Sequence, residues 1–114
     1  MHNILLVDDE EEVTSLLKKR LEKRGFCCCE ATNGQKALDA LENVSFHIVV
    51  MDVKMPVMDG ISALQVIHEK YPDVKVILLS GHADMQLAVH AMQCGAFGYL
   101  MKPVELEELL YKIE

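Results

Sequence analysis

No stretch of this chain of 114 residues stays apolar for the roughly 20 residues that a membrane span needs. The start, Met1-His2-Asn3-Ile4, has neither the basic segment nor the long apolar region of a secretory signal. Both absences make a soluble, cytoplasmic protein the expectation. Basic residues are scarce: 11 Lys and Arg against 18 Asp and Glu leave a formal net charge of −7. Such a surface repels nucleic-acid phosphates and anionic lipid, so no direct nucleic-acid binding and no membrane role is expected of this domain. The four cysteines contain no CxxC pair and no zinc spacing, because Cys27-Cys28-Cys29 are contiguous and Cys94 stands apart. They read as reduced thiols filling small core positions, with strand alternation sending Cys27 and Cys29 to one face and Cys28 to the other. His2, His47, His68, His82 and His90 share no ligand spacing. Nor does any linker, repeat or low-complexity segment interrupt the chain.

What is present is a repeated alternation. The apolar share of 51% excludes disorder, and the length fits one domain able to bury a two-sided sheet core. Strands are expected at Asn3 to Val7, Cys27 to Ala31, His47 to Met51, Lys75 to Leu79 and Gly98 to Met101. Most are continuous apolar or β-branched runs, which indicates burial on both faces and hence a parallel sheet between helices. The cysteine run is the weakest of them and is expected toward an edge. Helical stripes lie between: Val13, Leu16, Leu17 and Leu21, closed by Gly25; Ala37, Leu38 and Leu41; Ile61, Leu64 and Ile67 or His68, stopping by Tyr71 before Pro72; Met85, Ala88, Val89 and Met92, ended by Gly95; and Leu106, Leu109, Leu110 and Ile113. The seven methionines read as core filler.

Three of the apolar runs end on isolated polar groups. Leu5-Leu6-Val7 leads into Asp8-Asp9, Val49-Val50-Met51 into Asp52, and Tyr99-Leu100-Met101 into Lys102-Pro103. In an open parallel α/β sheet the carboxyl ends of the strands are where ligands bind. Three acids and one lysine on that rim point to a metal and phosphoryl site. Glu10, Glu11 and Glu12 read more simply, as an acidic first turn favoured by the helix dipole.

These residues, with Met55-Pro56-Val57-Met58-Asp59-Gly60, Ser80-Gly81 and Tyr99, resemble a response-regulator receiver domain of two-component phosphorelay systems over nearly the whole chain. The resemblance implies a (βα)5 doubly wound, flavodoxin-like sheet of order 2-1-3-4-5, an order the general rules for α/β folds describe for the chemotaxis receiver. It implies that Asp52 is both the phosphoacceptor and a metal ligand, that Asp9 binds Mg2+, or Mn2+ in its place, directly, and that Asp8 acts mainly through metal-bound water. The backbone carbonyl of Lys54 would be the third protein ligand. Lys102 would pair with a phosphoryl oxygen, Ser80 would hydrogen-bond another, and Tyr99 would turn inward as Ser80 moves. Gly81 would leave room for the donor, and the Lys102-Pro103 bond is expected to be cis. A carboxylate can attack an activated phosphoryl group if the repulsion between them is neutralised, and Mg2+ favours the oxygen ligands this cluster offers.

The implied partners are a histidine kinase or histidine phosphotransfer protein, with a homodimer through the fourth helix, fifth strand and fifth helix. The domain would not be an enzyme beyond accepting its own phosphoryl group and losing it slowly. Lys54 and His82, which flank the approach of water, are neither carboxylate nor carboxamide, so a fairly long-lived phosphorylated state is expected. The fifth helix runs to the last residue without a stop signal, so residues 1–114 read as a receiver from a longer protein with a C-terminal output domain. Two alternatives stand beside this reading. A receiver-like interaction module independent of phosphorylation would be expected to have lost the acids or the lysine. A fragment of a haloacid-dehalogenase-type phosphatase would want an acid where Lys54 stands.

Overall fold

The structure, a computed structural model, describes residues 3–53 and 60–113, except for the side chain of His82. Lys54, the Met55 to Asp59 motif and that side chain therefore lie outside the described residues. Five strands, β1 (Asn3–Val7), β2 (Cys27–Ala31), β3 (Ile48–Asp52), β4 (Lys75–Ser80) and β5 (Gly98–Met101), alternate with five helices. These are α1 (Glu11–Lys23), α2 (Gly34–Asn43), α3 (Gly60–Lys70), α4 (Met85–Gln93) and α5 (Leu106–Ile113), with a short 3-10 turn at His82–Asp84 before α4. The sheet is parallel with order β2-β1-β3-β4-β5, as the resemblance implied.

Alternation of side chains along buried strands feeds two cores at once. Leu5, Val7, Val49, Met51, Val76 and Leu78 face α2, α3 and α4 through Ala37, Leu41, Ala63, Leu64, Ile67 and Ala91. Ile4, Leu6, Ile48, Val50, Ile77, Leu79 and Leu100 face α1 and α5 through Leu17, Leu21, Leu109, Leu110 and Ile113. A fully buried Leu or Ile contributes about 1.5–3 kcal/mol, so the central strands anchor the rim where they end. Gly25 (φ 95°) and Gly95 (φ 106°) take the left-handed conformation that closes α1 and α4, with Phe26 N–H and Ala96 N–H returning to Leu21 O and Ala91 O.

Several boundaries and faces differ from the sequence reading. β3 begins at Ile48 and runs through Asp52, which pairs with Leu79, and β4 runs through Ser80, which pairs with Met101. A neighbouring strand supplies ladder partners to these polar residues, so they belong to the strands rather than following them. In α1 the buried face is Thr14, Leu17 and Leu21, whereas Val13 and Leu16 are exposed at 38% and 53%. In α4 the small residues Ala88 and Ala91 pack against the sheet, leaving Val89 and Met92 outside, because close helix approach selects small side chains.

The cysteine run divides in the same way. β2 is an edge strand, so only Cys28 is buried, while Cys27 and Cys29 are exposed and Cys94 is half-buried. Core filling is therefore the role of Cys28, not of Cys27 or Cys29. Burial pushes the Cys28 thiol up to about 11, with the Glu22 charge adding to the shift. Iodoacetamide at pH 8 should therefore alkylate Cys27 and Cys29 while Cys28, about 10⁻³ thiolate, stays free until the protein is unfolded. Fragment mass spectrometry that found Cys28 labelled as fast as Cys27 in the native protein would contradict this packing.

Candidate functional site

The rim is built from four strand ends. After β1 the chain turns at Asp8, whose Oδ1 accepts the N–H of Glu10 at 3.0 Å while its own N–H donates to Ala31 O at 3.1 Å. That turn buries Asp8, at 1% exposure, and leaves Asp9 and Glu10 facing solvent at the start of α1. Asp52, the last residue of β3, is buried, and so is Ser80, the last of β4. Lys102 follows β5, its N–H donating to Ser80 O at 2.9 Å, and the Lys102-Pro103 bond is cis.

The side chain of Lys102 reaches back across the rim. Its Nζ donates to Asp52 Oδ2 at 2.7 Å and to Asp8 Oδ2 at 3.4 Å, and lies 4.0 Å from Glu10 Oε1. One ammonium from the β5–α5 connection thus joins acids of the β1–α1 turn to the acid that ends β3. Burial raises the Asp8 carboxyl above its ordinary value, and the Asp52 charge and Asp9 hydrogen bond add to this against the Glu10 N–H and the Lys102 charge. Burial outranks charge repulsion among the acids here. For Lys102, burial opposes the charged form, but the hydrogen bond and charge of Asp52 together with Asp8 outweigh it, and the net shift is upward.

Asp8, Asp9 and Glu10 each offer a carboxylate oxygen within 4.8 Å of the others, a hard oxygen set of the kind that suits Mg2+ rather than zinc. Ser80 stands one strand from Asp52, but its Oγ donates away from the carboxylates, to Met101 Sδ at 3.8 Å. Tyr99 is half-buried on the same face of β5 as Met101. Asp8, Asp52 and Lys102 are therefore in one network, Asp9 borders it, Ser80 and Tyr99 lie to its β5 side, and the expected Lys54 carbonyl lies outside the described residues.

Two residues have a part here beyond what the sequence assigns them: Glu10, read as a first-turn acid, and Gly60, read only as the end of the motif that begins at Met55. Glu10 is more than a first-turn acid, because the Asp8 turn carries it toward Lys102; an acid two residues past a strand-end aspartate was its available signal. Gly60, at the start of α3, is pressed on the end of β3: a Cβ there would lie 2.5 Å from Asp52 O and 2.7 Å from Val53 Cα. Its N–H donates to Val53 O at 2.9 Å.

A sequence profile described as the response regulator receiver domain matches residues 4–114. The DNA-binding transcriptional regulator NtrC of Proteus hauseri is 37% identical over 112 residues, which cover 98% of this chain and 24% of that protein. The chain thus spans about a quarter of the length of that relative. Among solved structures, a response regulator receiver domain protein from Clostridium thermocellum superposes with a TM-score of 0.94 at 36% identity, covering 99% of this chain and 91% of that one. A response regulator protein from Burkholderia pseudomallei, solved with a phosphorylated aspartic acid, calcium ion and citrate, superposes with a TM-score of 0.92 at 30% identity, covering 100% of this chain and 67% of that one. With the profile spanning all but the first three residues and the sheet order in agreement, this chain belongs to the response-regulator receiver family.

Proposed function

We propose that this domain is a phosphoacceptor switch in which Asp52 takes a phosphoryl group from a histidine kinase or histidine phosphotransfer protein. The observation that carries the reading is the Lys102 ammonium held 2.7 Å from Asp52 and 3.4 Å from Asp8 at the carboxyl rim of the sheet. An Asp52 oxygen attacks phosphorus, the P–N bond of the donor phosphohistidine breaks, and the imidazole leaves with the bonding pair and takes up a proton. Lys102 exchanges part of its hold on the carboxylate for a phosphoryl oxygen, meeting the charge that gathers there. Asp8, Asp9 and Asp52, with the carbonyl of Lys54, would hold Mg2+ or Mn2+; such a cation supplies charge neutralisation for the incoming phosphoryl group. Beside Lys102 lies a groove of about 550 Å³ lined by Val13, Leu16, Leu17, Pro103 and Val104 together with the charged Glu10 and Arg20, a mostly apolar surface that suits the donor protein.

The domain acts on itself alone. Ser80 then turns to the phosphate and Tyr99 moves inward, which changes the surface of α4, β5 and α5 and favours pairing of two copies there. The quarter-length match to a DNA-binding regulator supports a receiver that governs a separate output domain. Acetyl phosphate with Mg2+ should add one phosphoryl group to the wild type and none to Asp52→Asn, because an amide is a poor nucleophile. Equal modification of the variant in intact-mass spectra, or acid-stable modification on a serine, would overturn the assignment.

Cation binding gives a second expected outcome. Millimolar Mg2+ should raise the melting temperature by mass action, and Asp9→Asn should blunt that rise without lowering the melting temperature in EDTA. A melting temperature indifferent to Mg2+ in the wild type would mean that Asp8, Asp9 and Asp52 do not form a cation site.

A further inference from the structure

The hydroxyl of Ser80 has a resting partner that no role above requires. Ser80 is fully buried at the end of β4, and its Oγ donates to the thioether of Met101 at 3.8 Å. The two residues are cross-strand partners in the β4–β5 ladder, and the N–H of Lys102 to Ser80 O fixes that register at 2.9 Å. Met101 also lies two residues past Tyr99, so alternation puts both on the face of β5 that Ser80 shares. β4 lies between β3 and β5, so Ser80 sits across from Met101 on one side and one residue past Leu79, the ladder partner of Asp52, on the other.

We propose that Met101 is a positioning residue that holds the Ser80 hydroxyl in its resting direction and so sets how readily the hydroxyl turns to a phosphoryl oxygen, an inference that rests on the Ser80 role proposed above. A buried hydroxyl without an acceptor is costly, so the unphosphorylated state requires some partner for it. A thioether is a weak acceptor, whereas a phosphoryl oxygen is charged and strong. The exchange is therefore favourable once phosphate arrives, while in its absence the sulfur keeps the hydroxyl away from the acids. The unbranched methionine side chain can also give way to Tyr99 as that ring turns inward. Unlike the methionines that only fill space, Met101 uses its sulfur.

The test is a titration with fluoroberyllate and Mg2+, a mimic of the acyl phosphate, read by the amide resonances of α4 and β5. Met101→Leu keeps the volume and removes the acceptor, so the resting state loses its hold on the hydroxyl and binding should tighten by about threefold. In an Ser80→Ala background the same substitution should change affinity by less than about 1.5-fold, because there is no hydroxyl left to hold. A threefold change that persists without the hydroxyl, or no change in Met101→Leu itself, overturns the role of the sulfur. Two further arms identify failure at the underlying level. Unaltered affinity in Ser80→Ala overturns the Ser80 role and this inference with it, and undiminished binding to Asp52→Asn overturns the site as a whole.

Discussion

Lys102→Met is expected to lower the stability of the cation-free protein by about 2–3 kcal/mol and to slow phosphorylation by acetyl phosphate roughly 100-fold. Breaking a buried ion pair from one side costs more than the pair was worth, because the abandoned charges stay buried. Here Asp8 and Asp52 would face each other without the ammonium that now lies 3.4 Å and 2.7 Å from them. The lysine side chain is 28% exposed, so solvent screens part of the effect and places the expected loss below the upper range for such pairs. A proton can replace the ammonium. Asp8 already has a carboxyl pKa raised above 3.8, so native stability falls as pH rises through that raised value, and the fall should be steeper in the variant. The deficit should accordingly shrink on acidification and also on adding Mg2+, which supplies positive charge by another route. Urea unfolding at several pH values, with EDTA or Mg2+, measures all three, and a variant as stable as the wild type at pH 8 in EDTA would show that Lys102 does not neutralise the acids.

That network was legible in the sequence because it rests on one-dimensional facts. Each buried strand reads as a short apolar run, and the polar residue that ends a run must emerge on the rim. Asp8, Asp52 and Lys102 could therefore be placed together without knowing any distance. The parallel sheet followed from the same runs, while its order came from resemblance. What periodicity could not reveal was how far each helix face is covered. Val13 and Leu16 continue an apolar stripe, yet they remain exposed while Leu17 and Leu21 of the same helix are buried. Cys27 and Cys29 alternate correctly, but an edge strand has too little helix above it to bury them. Glu10 and Met101 were missed for a different reason: a side chain turned by a local hydrogen bond, and a cross-strand pair from distant sequence, depend on three-dimensional register. Gly60 stood in the motif that carries the resemblance, but its close backbone approach to the end of β3 leaves no sequence sign beyond the glycine itself.

The tight approach at Gly60 carries the largest steric effect in the molecule's candidate site. Alanine there would place a Cβ 2.5 Å from Asp52 O and 2.7 Å from Val53 Cα, and both neighbours are backbone, which cannot swing aside as a side chain can. Either α3 retreats from the sheet or the end of β3 moves, and in both cases the Gly60 N–H to Val53 O bond is strained. Gly60→Ala should therefore cost about 3 kcal/mol of stability, at the upper end of overpacking effects, and should slow phosphorylation at least tenfold by displacing Asp52. Gly81→Ala provides the contrast. Its nearest atom would be Asp84 Oδ2 at 3.8 Å and its φ is an ordinary −85°, so the added methyl fits the resting protein and stability should change by less than about 0.5 kcal/mol. If that glycine leaves room for the donor, phosphorylation of Gly81→Ala should slow while its unfolding curve stays in place. The pair thus separates a glycine required by the fold from one required by the reaction. Urea unfolding and acetyl phosphate kinetics on the two variants decide it: a Gly60→Ala protein of wild-type stability would mean that α3 does not press on the end of β3.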